Sequence, residues 1–133
     1  MILFTEPMAE AILAGRKTVT RRRWKKPRVK VGSIHQCYTR PPFAKGGAEP
    51  FARVRIVSVE WELRPMREIR ALLGMGVAWY KGQLTKLATE ARREGFDSYE
   101  DFASAYMGIN GAAAIDDPCW RVEFVLVGAR DET

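Results

Sequence analysis

Apolar and polar positions along the chain change period several times, and each change marks an element. Met1 to Thr5 is short and apolar, the pattern of a first strand. Pro7 stands where the first turn of a helix accepts it, and Met8, Ala11 and Ile12 then recur at helical spacing, toward a core. Gly15 follows, and a glycine just past a helix end takes the left-handed backbone that closes it. Thr18, Val19 and Thr20 favour extended chain, so Lys17 to Trp24 reads as a strand, stopped by Pro27. Val31, Gly32 and Ser33 form a turn into another strand, Ile34 to Tyr38.

The second half repeats this alternation of periods. Thr39 to Pro50, with its prolines and the Gly46 and Gly47 pair, reads as a mobile loop. From Phe51 to Leu63 the apolar phase flips: Val54 and Ile56 share one parity, whereas Val57, Val59, Trp61 and Leu63 share the other. Either a β-bulge near Ile56 and Val57 or burial on both faces gives that pattern. Arg64 and Pro65 break the strand, and Met66 to Leu73 suits one or two helical turns. Leu84, Leu87, Ala88 and Ala91 form the core stripe of a helix ending near Gly95. Ser98 to Asp101 resembles a capping arrangement, and Tyr99, Phe102, Ala103 and Tyr106 repeat the stripe before Gly108. Gly111 to Pro118 connects to a last strand on which Trp120, Val122, Phe124 and Leu126 alternate. The strands from Lys17, Ile34, Phe51 and Trp120 are expected to form one curled sheet.

A length of 133 residues and 47% hydrophobic content suit one domain over residues 1–133 with one core. No run approaches the length that spans a bilayer, and no basic start precedes a long apolar segment, so the expected setting is cytoplasmic, without membrane. Cys37 and Cys119 neither staple a chain of this size nor match a zinc spacing, and are expected to be unbridged thiols. His35 and Cys37 share a strand face, but two ligands make no metal site.

Charge changes the picture more. The net charge is +6, and from Arg16 to Lys30 the charged residues are all basic: Arg16, Lys17, Arg21, Arg22, Arg23, Lys25, Lys26, Arg28 and Lys30. Such a block attracts a polyanion, although a solvated basic face has the same composition. Trp24 lies among these charges.

The run Gly15, Arg16, Lys17, Thr18, Val19, Thr20, Arg21, Arg22, preceded by a helix ending Ala11 to Ala14, resembles the signature of the ASCH domain family. The family pattern Gly-x-Lys-x-x-Glu-x-Arg is met at Gly15, Lys17 and Arg22, while Thr20 replaces the glutamate. Threonine there resembles the small bacterial branch that hydrolyses N4-acetylcytidine. Farther on, Arg93 to Phe96, the helix after it, and the spacing of Trp120, Val122 and Phe124 resemble the second half of such a domain. Residues 39–50 and 64–82 look like insertions relative to the smallest members. The resemblance implies a mixed α/β (α+β) fold, a PUA-like curled β-barrel of about five to six strands with flanking helices. It also implies RNA or a modified nucleoside as partner, Lys17, Thr20 and Glu94 as catalytic residues, and neither metal nor cofactor. Arg16, Arg21, Arg22, Arg23, Trp24, Lys25 and Lys26 would then bind substrate or RNA.

A threonine hydroxyl needs a base to become a nucleophile, and a lysine serves only when desolvation or neighbouring cations lower its pKa. Arg16, Arg21 and Arg22 would supply that charge, and Glu94 would move protons. On a regular strand, however, Lys17 and Thr20 point to opposite faces. They meet only if Lys17 lies in the turn before the strand, or if the strand is bulged. Simpler roles stand beside these: Lys17 and Thr20 capping the corner or pairing with phosphate, Glu94 in a helix-end salt bridge, and Trp24, Trp79 and Tyr80 in packing rather than base stacking. Three classes of function result: amide hydrolysis, noncatalytic RNA binding and metal-assisted RNA cleavage.

Overall fold

The computed structural model of the chain describes residues 1–41, 48–62 and 77–129. Its elements are β1 (Ile2–Leu3), α1 (Glu6–Leu13), β2 (Val19–Arg22), β3 (Ile34–Tyr38), β4 (Ala52–Glu62), α2 (Val77–Arg93), α3 (Tyr99–Asn110), a 3-10 turn at Ala112–Asp116, and β5 (Cys119–Ala129). The five strands form one curled half-barrel sheet in the order β1-β3-β4-β5-β2. β1 runs parallel to β3, and the other neighbours are antiparallel. This is the mixed α+β architecture that the sequence implies, with β1 and β2 as its two free edges. Among the described residues, no helix is long and apolar enough to cross a membrane.

The phase flip in β4 has its cause in the register. Ile56 pairs with Phe124 but Ser58 already pairs with Glu123, so Val57 is the extra residue of a bulge. Before it, Ala52, Val54 and Ile56 are buried; after it, Val59 packs on the same core. A second irregularity falls between Arg53 and Val54, where the partners jump from Gly128 to Leu126. Leu126, expected to continue the inward stripe of β5, is 40% exposed.

Two apolar clusters hold the sheet. Ile2, Phe4, Ile12, Val29, Cys37, Val54, Ile56, Val122 and Phe124 join the curled sheet to α1. Leu87, Ala91, Phe102, Ala103, Tyr106 and Ala114 join α2, α3 and the 3-10 turn. Thr5 caps α1 by accepting from the Met8 amide, and Ser98 caps α3 by accepting from the Asp101 amide. Cys37 and Cys119 are free and buried, and burial pushes each thiol up to about 12.

Several boundaries differ from the sequence reading. β2 begins at Val19 rather than Lys17 and ends at Arg22 rather than Trp24, α2 begins at Val77 rather than Leu84, and α3 continues through Gly108 to Asn110. The helical turns expected at Met66 to Leu73, and residues 42–47 of the loop expected at Thr39 to Pro50, lie outside the described residues.

Candidate functional site

The corner after α1 is built by backbone bonds. Arg16 and Lys17 amides both donate to the Ala11 carbonyl, at 2.9 and 3.1 Å, and Gly15 takes φ +79° to make that reversal. The Thr18 amide then donates to the Arg93 carbonyl at 2.7 Å, and Lys17 forms an isolated bridge with Glu94. The end of α2 is thereby fastened beside the start of β2, which joins residues 77 positions apart. Lys17 lies in the turn before the strand, so strand parity does not bind it.

Lys17 is 3% exposed, and its ammonium donates to the Val19 carbonyl at 2.7 Å, the Glu94 carbonyl at 3.0 Å and Glu94 Oε1 at 2.8 Å. Burial pushes its pKa down; Glu94 opposes the shift, and Arg22 and Arg21 add to it. Glu94 is shared, since its Oε2 accepts from Arg21 Nη1 at 2.9 Å. Gly95 packs against this pair with φ +98°, and a Cβ there would lie 3.2 Å from Ala11 Cβ and 3.3 Å from Lys17 Cβ. Gly95→Ala is therefore expected to destabilise the fold by about 1–3 kcal/mol, read from urea unfolding. An unchanged midpoint would contradict the strained placement.

Arg21 was among the residues assigned to substrate or RNA, and its guanidinium is committed internally instead. The side chain is 1% exposed and donates to Glu62 at 2.8 and 3.3 Å, to Glu90 at 2.6 Å and to Glu94. Arg121 completes the network with bonds of 2.6 and 3.2 Å to Glu90. Three cations, Lys17, Arg21 and Arg121, thus face three carboxylates, Glu62, Glu90 and Glu94, so the buried charges balance. Burial alone would raise the Glu90 carboxyl, but Arg121 and Arg21 overcome it and hold the group at about 2, below its ordinary 4.5. A carboxylate depressed on folding stabilises above its unfolded pKa and loses that contribution as pH falls toward the folded value. Stability should therefore decline between roughly pH 5 and pH 2. Urea midpoints measured across that range should fall less steeply in Glu90→Gln than in the parent chain, and equal slopes would exclude Glu90 as a source.

Lys17 and Thr20 line one pocket of about 340 Å³. It occupies the seam between the edge strands, lined by Leu3, Phe4, Thr5 and Met8 on one side and Arg21, Arg22 and Arg23 on another, with Thr39, Ile109 and Asn110. Arg22 crosses the seam. Its Nη2 donates to the Leu3 carbonyl at 2.7 Å, its Nε donates to Thr20 Oγ1 at 3.2 Å, and its guanidinium lies 4.8 Å from the Phe4 ring centroid. Because Thr20 Oγ1 accepts from Arg22, its own hydrogen stays available to another acceptor. Glu94 reaches the pocket through Lys17, standing behind it rather than on the wall.

The other assigned cations divide. Arg16, Lys25 and Lys26 are exposed. Arg23 is tied to Asp117 at 2.8 Å and to the Asn110 carbonyl at 3.2 Å, joining the end of β2 to the end of α3. Trp24 packs partly on the sheet core, with Arg28 at 6.0 Å from its ring. The side chains of Trp79 and Tyr80 lie outside the described residues.

Neither a family model nor a curated protein matches the sequence. Among solved structures, two variants of the ASCH protein of Zymomonas mobilis are similar at 15% and 17% identity, covering 93% and 96% of this chain, with TM-scores of 0.49 and 0.48. An ASCH domain from Lactobacillus crispatus is similar at 17% identity over 90% of this chain and 70% of its own, with a TM-score of 0.40. A protein from Enterococcus faecalis is similar at 14% identity over 99% of this chain and 82% of its own, with a TM-score of 0.47. The structural neighbours of this chain thus include ASCH-domain proteins. The chain spans 66% of the length of the Zymomonas ASCH chains.

Sequence reasoning missed Glu62, Glu90 and Arg121, and also the apolar side of the pocket at Leu3, Phe4 and Met8. One signal was present: Glu90 and Glu94 are four residues apart near the end of a helix, on one face.

Proposed function

We propose that the chain hydrolyses the amide of an N-acylated nucleoside, with N4-acetylcytidine as the substrate its sequence resemblance implies, through an acyl-threonine at Thr20. The observation that carries the reading is a buried Lys17–Glu94 pair whose lysine lines the pocket that also holds the Thr20 hydroxyl, with one lone pair of that hydroxyl already engaged by Arg22.

The three hydrogens of the Lys17 ammonium are all donated in the substrate-free protein. To act as a base, Lys17 passes one proton to Glu94 and opens one carbonyl contact; its burial favours the neutral amine. It then takes the Thr20 proton as Oγ1 bonds to the acyl carbon and the carbonyl π pair moves onto oxygen. Collapse breaks the C–N4 bond, and N4 receives the proton from Lys17 and leaves as the free amine. Water attacks the acyl-threonine, gives its proton to the same base, and carboxylate departs as Thr20 regains its hydrogen. Overall, amide and water become amine, carboxylate and one proton, which leaves to solvent as Glu94 returns its own proton to Lys17. The guanidinium of Arg22 favours the threonine oxygen as it gains negative charge.

The exposed Arg16, Lys25 and Lys26 support a second reading, an RNA-binding module without catalysis. Incubating the protein with N4-acetylcytidine and with single-stranded RNA, with and without chelator, separates the readings. The hydrolase yields cytidine and acetate in equal amounts. RNA affinity that falls steeply with salt, without deacetylation, would favour the module instead.

A further inference from the structure

The register of β2 leaves the backbone donors of Val19 and Arg21 without a role in the sheet, and of the two only Arg21 keeps any exposure and lines the pocket. The Phe124 amide donates to the Thr18 carbonyl at 2.9 Å, and Val19 to Arg22 pair in sequence with Glu123 to Trp120. In an antiparallel ladder, bonded and non-bonded pairs alternate. Thr20 and Arg22, together with the Thr18 carbonyl, therefore direct their backbone groups at β5, whereas Val19 and Arg21 direct theirs away from it. The Val19 carbonyl supports this independently, since it accepts from Lys17 Nζ on that outer side. Among the described residues β2 is an edge strand, so no further strand there receives the Arg21 N–H, and it has no other partner. Arg21 as a whole is 6% exposed but its side chain only 1%, so its exposed surface is main chain, and the residue lines the pocket.

We infer that the Arg21 N–H is the donor that holds the oxyanion formed when Thr20 attacks an acyl group, an inference that rests on the amidohydrolase reading. The amide nitrogen of Arg21 is bonded to the Thr20 carbonyl carbon, so a carbon attached to Thr20 Oγ1 can turn its oxygen toward this N–H without moving the strand. In the same step the Oγ1–C bond forms, the hydroxyl proton goes to Lys17, and the former π pair rests on the oxygen that the N–H holds. An oxyanion donor set in a rigid strand needs no reorganisation as charge develops. The buried guanidinium of Arg21 contributes by fixing the strand at that residue through Glu62, Glu90 and Glu94.

The test replaces the N–H by oxygen while keeping the Arg21 side chain. A synthetic segment of residues 1–36, with an ester in place of the Thr20–Arg21 amide, is ligated to residues 37–133 at the native Cys37. The reference is the same ligated chain with the ordinary amide. Two readouts are taken: turnover of N4-acetylcytidine, and formation of a tetrahedral adduct with methylboronic acid, followed by boron NMR. Boron accepts Thr20 Oγ1 and becomes anionic, imitating the intermediate without requiring a turnover. The ester chain is expected to fold with a near-unchanged melting temperature, to lose about 10²-fold in kcat with little change in KM, and to bind the boronic acid more weakly.

Equal turnover and equal adduct formation in the two chains would overturn the N–H role and leave the hydrolase reading standing. No turnover in either chain, with adduct formation that weakens in the ester, would remove the hydrolase reading and keep the anion site. Absence of both turnover and adduct removes both. An ester chain that fails to fold would make this N–H a structural donor, contrary to the inference.

Discussion

Thr20→Ala is expected to reduce turnover of N4-acetylcytidine by about 10⁴-fold or more, because removing the atom that forms the covalent bond removes the route itself. The fold should survive. Thr20 pairs with Val122 at the sheet edge, and among the described residues its hydroxyl accepts only from Arg22, which keeps the Leu3 carbonyl and the Phe4 ring. A lost hydrogen bond of this kind costs about 1 kcal/mol, small beside the loss of rate. Thr20→Ser retains the oxygen and should retain measurable turnover. Ordinary turnover in Thr20→Ala would eliminate the acyl-threonine and leave direct attack by water.

The largest effect on stability is expected at Arg21. Arg21→Met keeps the length of the side chain but leaves Glu62, Glu90 and Glu94 without the guanidinium that joins them, with Glu94 itself only 4% exposed. Removing one partner of a buried ionic group typically costs about 3–5 kcal/mol, since the remaining charges are not rehydrated. Arg23→Met is the internal comparison. Arg23 and Asp117 are 39% and 43% exposed, and a surface pair of that kind contributes about 0–1 kcal/mol. Urea unfolding of both variants should separate them clearly. Equal losses would mean that the Arg21 network does not hold the site together.

Much of the fold is legible along the chain because it rests on local patterns. The phase flip between Ile56 and Val57 is a bulge, and the corner at Gly15 delivers Lys17 and Thr20 to one pocket. The late start assigned to α2 and the early end assigned to α3 share one cause. Gly82 and Gly108 lie inside these helices, where glycine costs about 1 kcal/mol relative to alanine, so local propensity stops there while the helix continues. Arg21 was illegible for a different reason. A charged residue within a basic run is ordinarily solvated, and nothing near it in sequence announces the carboxylates that bury it, which lie 41, 69 and 73 positions away. The meeting of Lys17 with Glu94 was legible only as a resemblance. Periodicity placed Lys17 on the strand, on the face opposite Thr20, and it is the bridge to the end of α2 that takes it out of that alternation.

The most direct measurement is acid quenching of the protein during turnover of N4-acetylcytidine, followed by mass spectrometry of the peptide that contains Thr20. One acetyl group is expected on that residue, present during turnover and absent once substrate is exhausted. Deacetylation that proceeds with Thr20 never modified, or an acetyl group carried by Lys17 instead, would contradict the acyl-threonine route.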